Sequence, residues 1–158
     1  MFRDVTRIKQ KLTDAACIDV LRSVPRGVLA VMGDDGYPYA VPTNHWYDPE
    51  TGKLYFHSGM QGHKIDAIRR CDKVSYCVTD SGVRRDGDWA LTFRSVIVFG
   101  SVEILEDHAQ AIEMTRRLSL QFTEDLEYIE QEILSAGART LVFALTPAHM
   151  TGKTVHEA

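Results

Sequence analysis

Apolar residues recur along this chain in two periods, and the change from one to the other marks its elements. Between Thr13 and Val24, the pairs Ala16/Cys17 and Val20/Leu21, then Val24, fall on one helical face, with Thr13 or Asp14 placed to cap it. Pro25-Arg26-Gly27 ends that helix, predicted over about 13–24. From Gly27 to Met32 the pattern becomes an apolar strand run, closed by the hairpin turn Gly33-Asp34-Asp35-Gly36. A second strand, Tyr39 to Tyr47, is interrupted by Pro42. That residue removes a ladder donor and marks an edge, a bulge or a break facing a ligand. The turn Asp48-Pro49-Glu50-Thr51-Gly52 leads into a third strand, Lys53 to His57. A short helix over 63–71 and a fourth strand, Val74 to Thr79, follow, then a polar loop from Asp80 to Asp88. Leu91 to Leu105 alternates around Val96, Val98 and Val102, and predicts one or two bent strands with Gly100 at the bend. Asp107–Leu118 and Glu124–Leu134 read as helices, forming an insertion over about 107–135. Arg139 to Thr146 is a last strand, and 147–153 a tail.

Strands joined mostly by hairpins, with helices outside them, predict a mainly-β protein: a small antiparallel barrel in a single domain, 1–158. A repeating strand–helix–strand pattern is missing, and so is Gly-x-Gly-x-x-Gly, so a Rossmann dinucleotide site is not expected.

Composition narrows the function further. A net charge of −4 gives no basic face for nucleic acid, and no apolar run approaches the ~20 residues that span a bilayer. Met1-Phe2-Arg3-Asp4-Val5 lacks the apolar stretch of a signal peptide. Cys17, Cys71 and Cys77 match no zinc or redox spacing and read as reduced thiols, so a cytoplasmic protein is expected.

The candidate chemistry lies between Tyr55 and Lys73. His63 and Lys64 occupy the first turn of the predicted short helix, where the macrodipole already places about half a positive charge. Two readings account for this. Lys64 points into solvent, or an anion sits before the helix, with free amides, Lys64 and the Ser58 hydroxyl forming a phosphate cradle that Gly59 and Gly62 let the backbone approach. Likewise Pro42, Thr43 and Asn44 interrupt an otherwise apolar strand, as an edge would, or as a surface for a planar heterocycle would. His45 and Trp46 follow that stretch and either line a substrate or pack inside; for Trp46 packing is the better reading. His45, His57 and His63 have no carboxylate or cysteine at ligand spacing, so a metal is not expected, and no nucleophile elbow assigns a catalytic residue.

The runs Gly36-Tyr37-Pro38-Tyr39-Ala40-Val41-Pro42-Thr43-Asn44, Tyr55-Phe56-His57-Ser58 and Gly62-His63-Lys64-Ile65-Asp66 come in that order. With Phe93-Arg94-Ser95-Val96-Ile97-Val98-Phe99-Gly100 and Met150-Thr151-Gly152-Lys153, they resemble the pyridoxamine 5′-phosphate oxidase-related FMN-binding split barrels, and within them the nitroimidazole-resistance branch. The resemblance covers roughly Gly27 to Lys153. It implies a six-stranded antiparallel split barrel, a homodimer, and FMN at the subunit interface. Val41, Pro42, Thr43 and Asn44 would meet the flavin ring. His57, Ser58, Gly62, His63 and Lys64 would surround its phosphate. Ser95 and Val96 would complete the pocket, and Lys153 would reach the flavin from the tail. The activity implied is an FMN-dependent oxidoreductase acting on a small planar electron-poor substrate such as a nitroaromatic, with NAD(P)H as electron donor. The alternative is a flavin- or haem-binding carrier or sensor of the same fold. No equivalent of the oxidases' basic second phosphate site is present, so pyridoxamine phosphate oxidation itself is not expected.

Overall fold

A computed structural model describes residues 1–157. Helix α1 spans Asp14–Ser23, and the Thr13 hydroxyl accepts from the Ala16 amide at 3.2 Å, satisfying one of the free donors of its first turn. Its apolar stripe, Cys17, Val20 and Leu21, is buried. Replacing Thr13 by alanine is expected to lower stability in urea by about 1 kcal/mol, and by serine hardly at all. Equal losses for both would show that the threonine methyl, not the cap, matters.

The strands are β1 (Arg26–Met32), β2 (Pro38–Asn44), β3 (Trp46–Tyr47), β4 (Leu54–Gly59), β5 (Lys73–Thr79), β6 (Val83–Arg84), β7 (Leu91–Ile104) and β8 (Thr140–His156). They form one antiparallel sheet in the order β2-β1-β5-β7-β8-β4-β3, with β6 pairing beside β7. The sheet curls back on itself because β2 and β3 are one segment. Up to Asn44 it pairs with β1, and from Trp46 it pairs with β4, so His45 alone spans the seam between the first strand pair and the last. Taking β2 with β3, and β6 as an appendage, leaves six principal strands in a split barrel.

Alternate residues face the interior, as the strand period requires. Leu29, Val31, Phe56, Tyr76, Val78, Val96, Val98, Phe143 and Leu145 fill the barrel, with Phe56 and Phe143 stacked at 5.0 Å. Helix α1 covers one opening, and helix α2 (His63–Arg70) inserts Ile65, Ala67 and Ile68. A smaller cluster lies outside the barrel, where Tyr55, Val142 and Ala144 pack against Ala111 of helix α3 (His108–Ser119). Helix α4 (Leu126–Ala136) folds back beside α3; Asp107 and Asp125 cap the two helices through the amides of Gln110 and Tyr128.

One expectation is corrected. The segment 147–153 is not a tail but the second half of β8, paired with β7 as far as His156. Met150 opposite Val98 and Gly152 opposite Val96 take the inner positions, while Thr151 and Lys153 lie outside, so no apolar alternation shows in the sequence. Phe99 pairs with His149 while Gly100 pairs with Pro147, so Ala148 is the extra residue of a bulge. Pro147 is tolerated at that interruption, and the bend expected at Gly100 is found there.

Candidate functional site

Two stretches of chain meet at the open edge of the barrel. The first is the start of α2. Gly62, with φ of 128°, is its N-cap, a conformation few other residues adopt, and no side chain caps the helix. The Asp66 amide is the first to bond back, to the Gly62 carbonyl at 3.0 Å. The amides of His63, Lys64 and Ile65 therefore have no partner within the helix. Lys64 is half-buried, and among the described residues its ammonium makes no ion pair. It lies 6.0 Å from the Phe143 ring centroid, and burial pushes its pKa below the usual lysine range.

His57 projects from β4 on the outer side, beneath the α3–α4 hairpin, where with Phe122 and Tyr128 it lines a cavity of about 280 Å³. Part of its surface reaches solvent, yet the hairpin encloses it enough for burial, and then the Lys64 charge, to lower its pKa. The cation at Lys64 thus already perturbs its neighbour. Ser58 is half-buried at the end of β4.

The second stretch is β2. The His45 amide donates to the Pro25 carbonyl at 2.9 Å, and the Gly33 amide to the Tyr37 carbonyl at 2.9 Å. By the alternation of an antiparallel ladder, Tyr39, Val41 and Thr43 also turn their backbone groups toward β1. Those of Ala40, Pro42 and Asn44 face the open edge instead. Pro42 offers only a carbonyl there, which leaves acceptors and few donors for a neighbouring strand. Val41 packs on the core, Thr43 is buried, and Asn44 accepts from Arg26 Nε at 2.7 Å. The His63 ring stacks on Tyr39 at 4.1 Å, and Asp34 joins β1–β2 to α2 through Arg70 at 2.7 Å. These ties hold the β1–β2 hairpin against α2. Tyr39 stands within the motif run and Asp34 within the predicted turn, but neither of them nor Arg70 was assigned to the site from the sequence.

The third group lies elsewhere in the chain. Ser95 pairs with Lys153, and Val96 with Gly152, on β7 and β8. Strands β1 and β5 separate this pair of strands from β2. Val96 is fully buried in the core, so its side chain faces no outer pocket. Ser95 and Lys153 line an outer cavity of about 500 Å³ with Asp4 and Arg7 of the N-terminal segment. Between the two groups runs an apolar outer face: Pro42, Val28, Cys77 and Ile97 form one row, and Val28 and Ile97 remain 41% and 38% exposed.

His45 does not line a substrate. It is fully buried and bonded within the core. Trp46 packs on Tyr55 at 5.8 Å beneath the Arg117 guanidinium, as its packing role implies, whereas Trp89 is 67% exposed.

Comparison with known proteins places this geometry in context. A sequence profile for pyridoxamine 5′-phosphate oxidase matches residues 13–154. No curated protein sequence matches the chain. Among solved structures, a candidate 5-nitroimidazole antibiotic resistance protein from Bacteroides thetaiotaomicron superposes with a TM-score of 0.76 at 21% identity, covering 92% of this chain and 87% of that one. A FAD-binding protein from Mesorhizobium loti has a TM-score of 0.67 at 26% identity, covering 92% and 97%. The FAD-binding protein of Mycobacterium smegmatis has a TM-score of 0.67 at 21% identity, covering 94% and 99%. Among the described residues, no helix is long and apolar enough to cross a membrane.

Proposed function

Because the chain belongs to the pyridoxamine 5′-phosphate oxidase family, we propose that it binds a flavin, FMN, in the gap between β2 and the start of α2. The observation that carries this reading is Lys64: a half-buried ammonium, without an anionic partner among the described residues, beside uncapped helix amides. Burying a cation without a counter-ion is costly, and a phosphate monoester would offset that cost while accepting from the amides. Lys64, His63 and the amides of α2 would hold the phosphate, with Ser58 and His57 beside it. The open-edge backbone groups of Pro42 and Asn44 would meet the ring.

A bound flavin supplies the redox chemistry, exchanging electrons between a donor and an acceptor; the protein contributes orientation and exclusion of water. NAD(P)H as donor, and a small planar electron-poor acceptor such as a nitroaromatic, are the reaction that the nitroimidazole-resistance resemblance favours. The flavin-binding names of the Mesorhizobium and Mycobacterium structures support the cofactor class. The homodimer is supported by the apolar row Pro42–Val28–Cys77–Ile97 and by the separation of Ser95 and Lys153 from α2. A second copy seated on that face would cover it and bring its Ser95 and Lys153 toward the first copy's flavin.

The purified protein, supplemented with FMN and desalted, is expected to retain flavin absorbance at one FMN per chain and to be bleached by NADH or NADPH. Absence of retained flavin would refute the reading. Retained flavin that no nicotinamide reduces would leave the carrier function in its place.

A further inference from the structure

The carbonyl of Leu21 would accept from residue 25 if α1 continued, but residue 25 is proline and has no amide hydrogen. His45 Nε2 lies 2.7 Å from that carbonyl, which can only accept, so Nε2 carries the hydrogen. On its other side, Nδ1 is 2.8 Å from the Tyr76 hydroxyl oxygen, and that oxygen is 2.7 Å from the Thr43 carbonyl. All three contacts are at hydrogen-bond distance, and each needs a hydrogen between its heavy atoms. A neutral imidazole supplies one and the hydroxyl one. The Leu21 carbonyl takes the first. Tyr76 then serves either Nδ1 or Thr43, and the contact left over sets lone pair against lone pair.

We propose that His45 and Tyr76 are positioning residues for the cofactor strand, forming a brace one hydrogen short. The Tyr76 hydroxyl alternates between His45 and the Thr43 carbonyl, and a second proton on His45 commits it to Thr43. Thr43 sits between Pro42 and Asn44, whose backbone groups face the open edge, so the grip on its carbonyl reaches the surface proposed to meet the flavin. Only this functional consequence rests on flavin binding; the brace itself does not. Gly27 is part of the device. A Cβ there would lie 2.8 Å from the Tyr76 hydroxyl oxygen and 2.5 Å from the Cys77 carbonyl, so a larger residue would push the ring away from Thr43.

Few other groups can compete for the proton. Tyr76, from β5, is the titratable group in contact with His45; Cys77 of β5 and Arg26 of β1 act on Tyr76. Helix α1, β4 and the segment after α3 present the Leu21 carbonyl, the Phe56 ring and the Gln121 amide, which do not titrate. Burial holds His45 down to about 4, so near neutral pH the brace has two hydrogens for three contacts.

The test is nuclear magnetic resonance of the labelled, flavin-free full chain from neutral pH down through the His45 midpoint at about 4. The His45 ring should show the Nε2–H form at neutral pH, and the Thr43 carbonyl shift should titrate with the same midpoint as His45. In Tyr76→Phe, His45 should still titrate while Thr43 no longer follows. An Nδ1–H form at neutral pH, or a Thr43 shift indifferent to His45, overturns the proposal. FMN titrations add a functional arm. Wild-type affinity should change by about 5-fold more across this range than that of Tyr76→Phe, the titration of the phosphate being common to both. Coupled NMR titration without FMN binding would keep the brace and reject the flavin. FMN binding with identical pH dependence in both proteins would reject the brace's role in positioning the cofactor.

Discussion

Lys64→Ala is expected to weaken FMN binding by about 100-fold, roughly 3 kcal/mol, while riboflavin binding changes less than about 3-fold. The two ligands differ only in the phosphate, so the comparison isolates the contact with the ammonium. The size follows from two terms acting in one direction. A charge-assisted hydrogen bond to phosphate is worth about 1.5–3 kcal/mol, and partial burial of Lys64 strengthens it by excluding solvent. The mutation should also release His57, whose pKa the Lys64 charge helps to depress, so the His57 titration should move upward in the variant. Stability should be unchanged or slightly higher, since a half-buried cation without a partner is removed. Equal weakening of FMN and riboflavin would place Lys64 at the ring or the ribityl chain rather than the phosphate.

The second large effect is loss of stability in mild acid. His45 is fully buried, and its pKa falls from 6.5 to about 4, chiefly by burial and against the opposing bond to Leu21. As pH drops below 6.5 the unfolded chain takes up the proton first, and the folded chain follows only near 4. Stability is therefore fully present above pH 6.5 and is lost through that window, by about 3 kcal/mol in all. His57 contributes in the same sense, its pKa also being lowered. Carboxylates such as Asp80, held down by Arg94, act only at lower pH. Urea unfolding across this range should show the slope, and His45→Phe should flatten most of it. A variant as acid-sensitive as the wild type would remove His45 as the source.

Much of this fold is legible in the sequence because local rules and packing agree there. Thr13 caps α1, Asp34-Asp35 turns β1 into β2, and Gly100 lies at the bulge. Where the rules conflict, the pattern hides the outcome. In 147–153, polar residues occupy the outer positions of a strand whose inner positions are Met150 and Gly152, so no apolar alternation marks it. His45 shows a different limit. Its neighbours in sequence are strand residues, but its partners, Leu21 and Tyr76, are 24 and 31 positions away, and only the curl of the sheet brings them together. The stretches 41–44 and 62–64 were found by motif, and the stack of Tyr39 on His63 joins the elements that carry them. The motif containing Ser95 and Val96 was equally visible, but the sheet places two strands, β1 and β5, between it and β2, and turns Val96 inside.

The one-residue seam at His45 also sets where the chain can change length. The Asp80–Asp88 segment carries only the two-residue β6 and can absorb insertions at its ends. At His45 a single added residue would slip either the ladder to β1 or the ladder to β4. Because a strand's faces alternate, that slip would turn Trp46 and Tyr47, or Val41 and Thr43, inside out. Variation in loop length among natural or engineered versions of this chain should therefore accumulate around Asp80–Asp88 and be absent between Asn44 and Trp46.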